Sequence, residues 1–124
     1  MHNIKNLKLD HINLAVPNIK DTINFYTKIL GFTILHQFTK DDRIFVFMTD
    51  GNIVYEFIQK PVEKAFIDHI AYVSEDIEKD YLYYKNLGLT TTEIGFVDFL
   101  FENGVKFFFI KGAGEERIEF CQKI

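Results

Sequence analysis

The chain repeats itself, and that repetition limits the folds open to it more than any other feature. Asp10-His11-Ile12 has a counterpart in Asp68-His69-Ile70, and Glu56-Phe57-Ile58-Gln59-Lys60 has one in Glu119-Phe120-Cys121-Gln122-Lys123. The histidines are offset by 69 − 11 = 58 residues and the glutamates by 119 − 56 = 63. Segments 51–60 and 114–123 are identical at five of ten positions. At 124 residues the chain is one domain's worth. The repeat therefore predicts a domain of two similar modules, about 7–61 and about 65–124.

Each half reads as the same string of elements. Leu9–Val16 alternates as a strand, and Pro17-Asn18 breaks it, with Asn18 placed to cap a helix. Ile19, Ile23, Tyr26, Ile29 and Leu30 recur at helical spacing, and Gly31 is a stop of the C′ type. Strand-like runs follow at Phe32–Phe38, Arg43–Met48 and Asn52–Gln59. Lys40-Asp41-Asp42 and Asp50-Gly51-Asn52 separate them, and Asp-Gly is a strong hairpin signal. In the second half Phe66–Val73 is a strand, and Ser74-Glu75-Asp76 opens a helix. Ile77, Tyr81, Tyr84 and Leu87 form that helix's apolar stripe and Gly88 closes it. Further strands are predicted at Leu89–Ile94, Val105–Ile110 and Glu115–Gln122, and Pro61–Ala65 marks the module boundary. Gly95–Asn103 is apolar without a clean period and reads as a loop or lid. The fold class expected is α+β, with two tandem βαβββ modules.

Strand side chains alternate between faces. His11, Asn13 and Ala15 therefore share one face, and bulky Ile12, Leu14 and Val16 the helix-facing one. The same parity sends His69, Ala71 and Val73 inward and Ile70 and Tyr72 toward the helix. It groups Glu56 with Val54 and Ile58, and Glu119 with Arg117 and Cys121. A carboxylate aimed into an apolar sheet face is costly unless paired or bound to metal. Two imidazoles and two carboxylates at repeat-equivalent places are the ingredients of a divalent metal site.

Composition excludes several alternatives. Net charge is −4 without a long Lys/Arg cluster, which argues against a nucleic-acid partner. The single Cys121 allows no intrachain disulfide and fits a reducing, cytoplasmic location. The N-terminal residues have no apolar h-region of a secretory signal, and no stretch is apolar enough for a membrane helix. The 14 Phe and 6 Tyr predict aromatic packing and an aromatic-lined cavity.

The duplicated βαβββ pattern, with a strand-borne His opening and a strand-borne Glu closing each half, resembles the vicinal oxygen chelate superfamily. That group includes glyoxalase I, methylmalonyl-CoA epimerase, extradiol dioxygenases and the fosfomycin- and bleomycin-resistance proteins. Asp10-His11-Ile12, the helix end Phe25-Tyr26-Thr27-Lys28-Ile29-Leu30-Gly31-Phe32, and Gly114-Glu115-Glu116-Arg117-Ile118-Glu119-Phe120 carry the similarity. Where family members have Pro-Asp-Gly before the last strand, this chain has Gly112-Ala113-Gly114.

The resemblance implies curled mixed sheets around a cleft in which His11, Glu56, His69 and Glu119 hold one divalent ion. Zn or Ni is expected, with Co, Mn or Fe also compatible. It further implies a homodimer and a small-molecule substrate. The full ligand set resembles glyoxalase I-type members, which implies a lyase or isomerase that enolises a 2-oxoaldehyde–thiol hemithioacetal to a 2-hydroxyacyl thioester. One glutamate, Glu119 rather than Glu56, would be the general base. The alternatives are an epimerase of a small acyl or keto compound, an extradiol-type dioxygenase, and a drug-binding resistance protein.

Other residues have plainer readings. Asn13 and Arg117 are candidates for substrate binding, and Arg117 is as readily an ion pair with Glu56 or Glu115. Cys121 reads as a small core hydrophobe, His36 as an edge or interface residue, and His2 as solvated. Phe107-Phe108-Phe109 is first a buried strand. Phe96, Phe99, Leu100 and Phe101 suit either an apolar lid or an interface.

Overall fold

A computed structural model describes residues 6–124; His2 lies outside the described residues. The chain forms two compact units, one spanning His11–Asp68 and the other combining the chain up to Asp10 with His69–Ile124.

In the first unit the elements are β1 (Leu9–Val16), α1 (Ile19–Asn24), a π-helical turn (Phe25–Ile29), β2 (Thr33–Lys40), β3 (Arg43–Thr49) and β4 (Val54–Gln59). The strand order is β2-β3-β4-β1. The β1–β4 pair is parallel and the others antiparallel, the mixed arrangement that a βαβββ unit produces. The outward parity of β1 and β4 works as expected. Val16, Ile19, Val46, Met48 and Phe57 form the buried cluster, with Leu14, Ile23, Tyr26 and Tyr55 packed against it.

The second unit repeats this plan with β5 (Phe66–Val73), α2 (Ile77–Asn86), β6 (Gly95–Val97), β7 (Val105–Lys111) and β8 (Arg117–Lys123). Here β5 pairs parallel with β8, β8 antiparallel with β7, and β7 antiparallel with β6. Ile77, Tyr81, Tyr84, Phe108, Ile110 and Phe120 make its core. A smaller cluster on the opposite face joins Ala71, Val105 and Cys121, with Leu100 and Phe107 against it.

The two modules cap their helices in the same way. Asn18 accepts from the Asp21 N–H and Asp76 from the Lys79 N–H. A second acceptor arrives from the closing strand: Gln59 Oε1 takes the Ile19 N–H at 2.8 Å, and Gln122 Oε1 takes the Ile77 N–H at 2.9 Å. The first N–H groups of a helix have no partner within it. The shared Gln at the end of each closing strand thus ties that strand to the helix start. Gly31 (φ 75°) and Gly88 (φ 83°) follow the two helices in the left-handed conformation that glycine adopts without cost.

Four expectations need correction. Leu89–Ile94 is not a strand: only Thr91 makes an isolated bridge, to Ile110. The pairing falls instead on Gly95–Val97, inside the stretch read as loop. Phe107 closes on Gly95, where a Cβ would sit 2.7 Å from the ring, so a residue without a side chain marks the contact. Ile29, Leu30 and Leu87 do not reach the cores and are more than half exposed. In the first helix the wider π turn, which bonds residues five positions apart (Leu30 N–H to the Phe25 carbonyl), advances the stripe, and Phe32 takes the core place. Leu87 is already the C-cap residue of α2. Ile70 is likewise exposed rather than packed on the helix.

Replacing Gln59 or Gln122 by Ala is expected to lower stability by about 1 kcal/mol each, the ordinary value of a helix-capping acceptor, read from urea midpoints at unchanged slope. Cys121 is buried with its Sγ 3.7 Å from the Tyr72 carbonyl. Burial, aided by the charges of Asp10 and Glu119, pushes its thiol well above the usual cysteine range. Its alkylation at pH 8 should therefore be far slower than that of a free thiol and recover on unfolding, because the thiolate is the nucleophile.

Candidate metal site

The opening strand of each module carries the histidine and the closing strand the glutamate. Parallel pairing of those two strands brings the side chains together. In the first unit Asn13 lies opposite Glu56 in the β1–β4 register; in the second, Ala71 lies opposite Glu119 in the β5–β8 register. The registers are equivalent, so the repeat extends to the pairing of strands.

Within each unit the result is a close imidazole–carboxylate pair. His11 Nε2 lies 3.2 Å from Glu56 Oε1, and His69 Nε2 is hydrogen-bonded to Glu119 Oε1 at 2.9 Å. His11 is 5% exposed, and His69 and Glu119 are each 8% exposed. Charged groups are almost never this buried unless paired or bound. The structure thus joins His11 to Glu56 in one unit and His69 to Glu119 in the other.

A phenylalanine closes each pair. Phe47 lies opposite Glu56 on β3 and meets the His11 ring edge-on, centroids 5.9 Å apart. Phe109 lies opposite Glu119 on β7 and meets His69 edge-on at 4.9 Å. Sequence reasoning did not single out Phe47, and it treated Phe109 first as core. The signal was available in the repeat, since 109 − 47 = 62 falls between the offsets of the histidines and the glutamates.

The modules differ at the residue opposite the glutamate. Asn13 is completely buried, and its Nδ2 donates to Glu56 Oε1 at 3.0 Å. Its Oδ1 makes no hydrogen bond among the described residues. A buried acceptor left so costs about 1–3 kcal/mol unless a ligand donates to it. The repeat-equivalent position is Ala71, also fully buried, which offers no hydrogen bond.

Arg117 stays largely exposed at the edge of its site, its guanidinium 4.1 Å from the centre of the Phe109 ring. Glu115, one of the ion-pair partners considered for it, lies 3.5 Å from Lys111. His36 occupies β2, the outermost strand of its unit, beside Phe38. Phe96, Phe99 and Phe101 are exposed, and Lys123 Nζ sits over the Phe101 ring.

The donors fit a divalent ion. Two ligands bound to one ion at about 2.1 Å lie roughly 3.0–3.4 Å apart for angles from octahedral to tetrahedral. The separations within both His–Glu pairs are close to that spacing. Imidazole with carboxylate suits Zn²⁺ and its first-row neighbours.

The glyoxalase/bleomycin resistance protein/dioxygenase superfamily model matches residues 8–65. The chain is 24% identical over 128 aligned residues to the uncharacterized protein YwbC of Bacillus subtilis, covering 94% of this chain and 98% of that protein. A 54-residue segment is 39% identical to the uncharacterized protein YqjC of the same organism, over 42% of this chain and 39% of that one. Among solved structures, the methylmalonyl-CoA epimerase of Mycobacterium tuberculosis superposes with a TM-score of 0.82 at 16% identity, covering 100% of this chain and 93% of that one. A hypothetical protein from Bacillus halodurans superposes with a TM-score of 0.80 at 26% identity, over 97% and 96% of the two chains. The matched model thus covers the first module, and the second module repeats the same elements, so the chain is similar over its first half to the glyoxalase/bleomycin resistance protein/dioxygenase superfamily and shares its fold throughout.

Proposed function

We propose that this protein is a metal-dependent isomerase that moves a proton at the carbon beside the carbonyl of a small acyl thioester. In this reading His11, Glu56, His69 and Glu119 hold one divalent ion, Zn²⁺ or Ni²⁺ by donor type. The observation that carries it is the His–Glu pair made once in each module at equivalent register, with His11, His69 and Glu119 buried and Glu56 half-buried. When bound, such an ion supplies Lewis-acid polarisation of a substrate oxygen.

The protein's own residues divide the remaining work. Glu119 is the general base. It is shielded from water, and its neighbour on the opening strand, Ala71, does not tether it as Asn13 tethers Glu56. His69 Nε2, 2.9 Å from Glu119 Oε1, places its imidazole where it would share the ion with that carboxylate. Phe47 and Phe109 exclude water from the imidazoles. Arg117 offers a cation for a substrate carboxylate.

Acyl thioesters are favoured because the superposable epimerases include forms in complex with 2-nitronate-propionyl-CoA and with methylmalonyl-CoA. A glyoxalase I-like lyase is the second reading, supported by the complete His/Glu set in both modules. With Arg43 and Arg117 as its only arginines, the chain is poorly furnished to anchor a glutathione-type substrate with two carboxylates.

Protein purified without chelator or affinity-tag nickel is expected to carry about one divalent ion per site, lost in the double variant His11→Ala/His69→Ala. Stoichiometric metal retained by that variant would contradict the ligand assignment. In D₂O, methylmalonyl-CoA should gain deuterium at the carbon between its carbonyls. Glu119→Gln should slow this exchange by roughly 10²–10⁴-fold, the usual share of a general base. Turnover of a hemithioacetal without exchange into any acyl-CoA would move the assignment to the lyase.

A further inference from the structure

The repeat is nearly symmetric around the two glutamates, so the difference in the residue opposite each of them carries information. Both glutamates face an imidazole, and both have a phenylalanine opposite on the neighbouring strand. Opposite Glu56 stands an amide, where Glu119 faces Ala71: Asn13 Nδ2 reaches the same oxygen, Oε1, that faces His11. Asn13 occupies a fully buried position where Ala suffices in the other module, and its Oδ1 makes no hydrogen bond among the described residues. A side chain with this arrangement is a poor choice for packing alone, since half of its polar capacity goes unused in the interior.

We propose that Asn13 is the positioning residue of the metal site, rigidly holding Glu56 in the orientation from which it donates to the ion. The inference rests on the metal-binding reading above. The amide N–H fixes Oε1 beside His11 and so keeps Glu56 in place as a ligand. Partners that orient ligands in this way typically contribute 10- to 100-fold to metal affinity.

The test uses Co²⁺ alone, added to chelator-treated full-length protein, with visible absorption as the readout of ligand geometry. Asn13→Ala is expected to weaken Co²⁺ binding roughly tenfold and to alter the absorption bands, while the melting temperature of the metal-free protein stays close to that of the wild type. Asn13→Ser, too short to reach Glu56, should behave the same and serves if the Ala variant does not fold. Unchanged Co²⁺ affinity and bands in either folded variant would overturn the proposal, and a lowered melting temperature with unchanged Co²⁺ binding would mark Asn13 as a packing residue. Wild-type protein that takes up no Co²⁺ would overturn the metal-binding reading itself, and this inference with it.

Discussion

The structure is organised around an unfavourable placement made twice: a glutamate on the inner face of a strand, removed from most of its water. Hydrophobic burial alone would never select it, because taking an unpaired carboxylate out of water costs far more than a neighbouring aliphatic side chain returns. It survives because parallel pairing of each module's first and last strands delivers an imidazole to within 3.2 Å or less. The rest of each module serves that pairing. The helix packs on the outer face of the closing strand and its antiparallel neighbour, and the shared glutamine at the end of the closing strand ties that strand to the helix start. The third and second strands extend the sheet and supply the phenylalanine against the imidazole.

Separation of the two faces is what allows a polar site inside a small protein. Alternation puts Phe57 and Phe120 in the helix-side cores while their neighbours Glu56 and Glu119 face the other way. One strand thus belongs at once to a dry aromatic core and to a polar site. A register slip of one residue would exchange the two sets and ruin both. The aromatic richness of the chain follows from this economy: short helices and short strands must fill two cores, and large flat rings do so with few residues. Phe120 stacks with both Tyr84 and Phe108 in the second core, and Tyr26, Phe32, Tyr55 and Phe57 form a chain of ring contacts in the first.

Much of this was legible without coordinates, for a definable reason. Leu9–Val16 and Phe66–Val73 are found with the expected bounds, because side-chain alternation and the Pro and Ser breaks after them are local signals. The faces of Glu56 and Glu119 followed from parity alone. What failed was what depends on neighbours. The π turn at Phe25–Ile29 moved Ile29 and Leu30 out of the core, although their spacing fits a regular helix. The second strand of the second module lies at Gly95–Val97 rather than Leu89–Ile94, because the apolar pattern there has no period and the register is chosen by β7.

The sequence by itself determined the two modules, their βαβββ order, the side of the strand on which His11, Glu56, His69 and Glu119 stand, and the family they resemble. These follow from repetition and from the two-residue period of a strand, both local properties of the chain. Only the tertiary structure decided that Glu56 and not Glu119 lies opposite an amide, that Phe47 and Phe109 close on the imidazoles, and that Arg117 lies over a ring. Those contacts join residues 8 to 43 positions apart, and their distances are set by strand register, which no local pattern encodes.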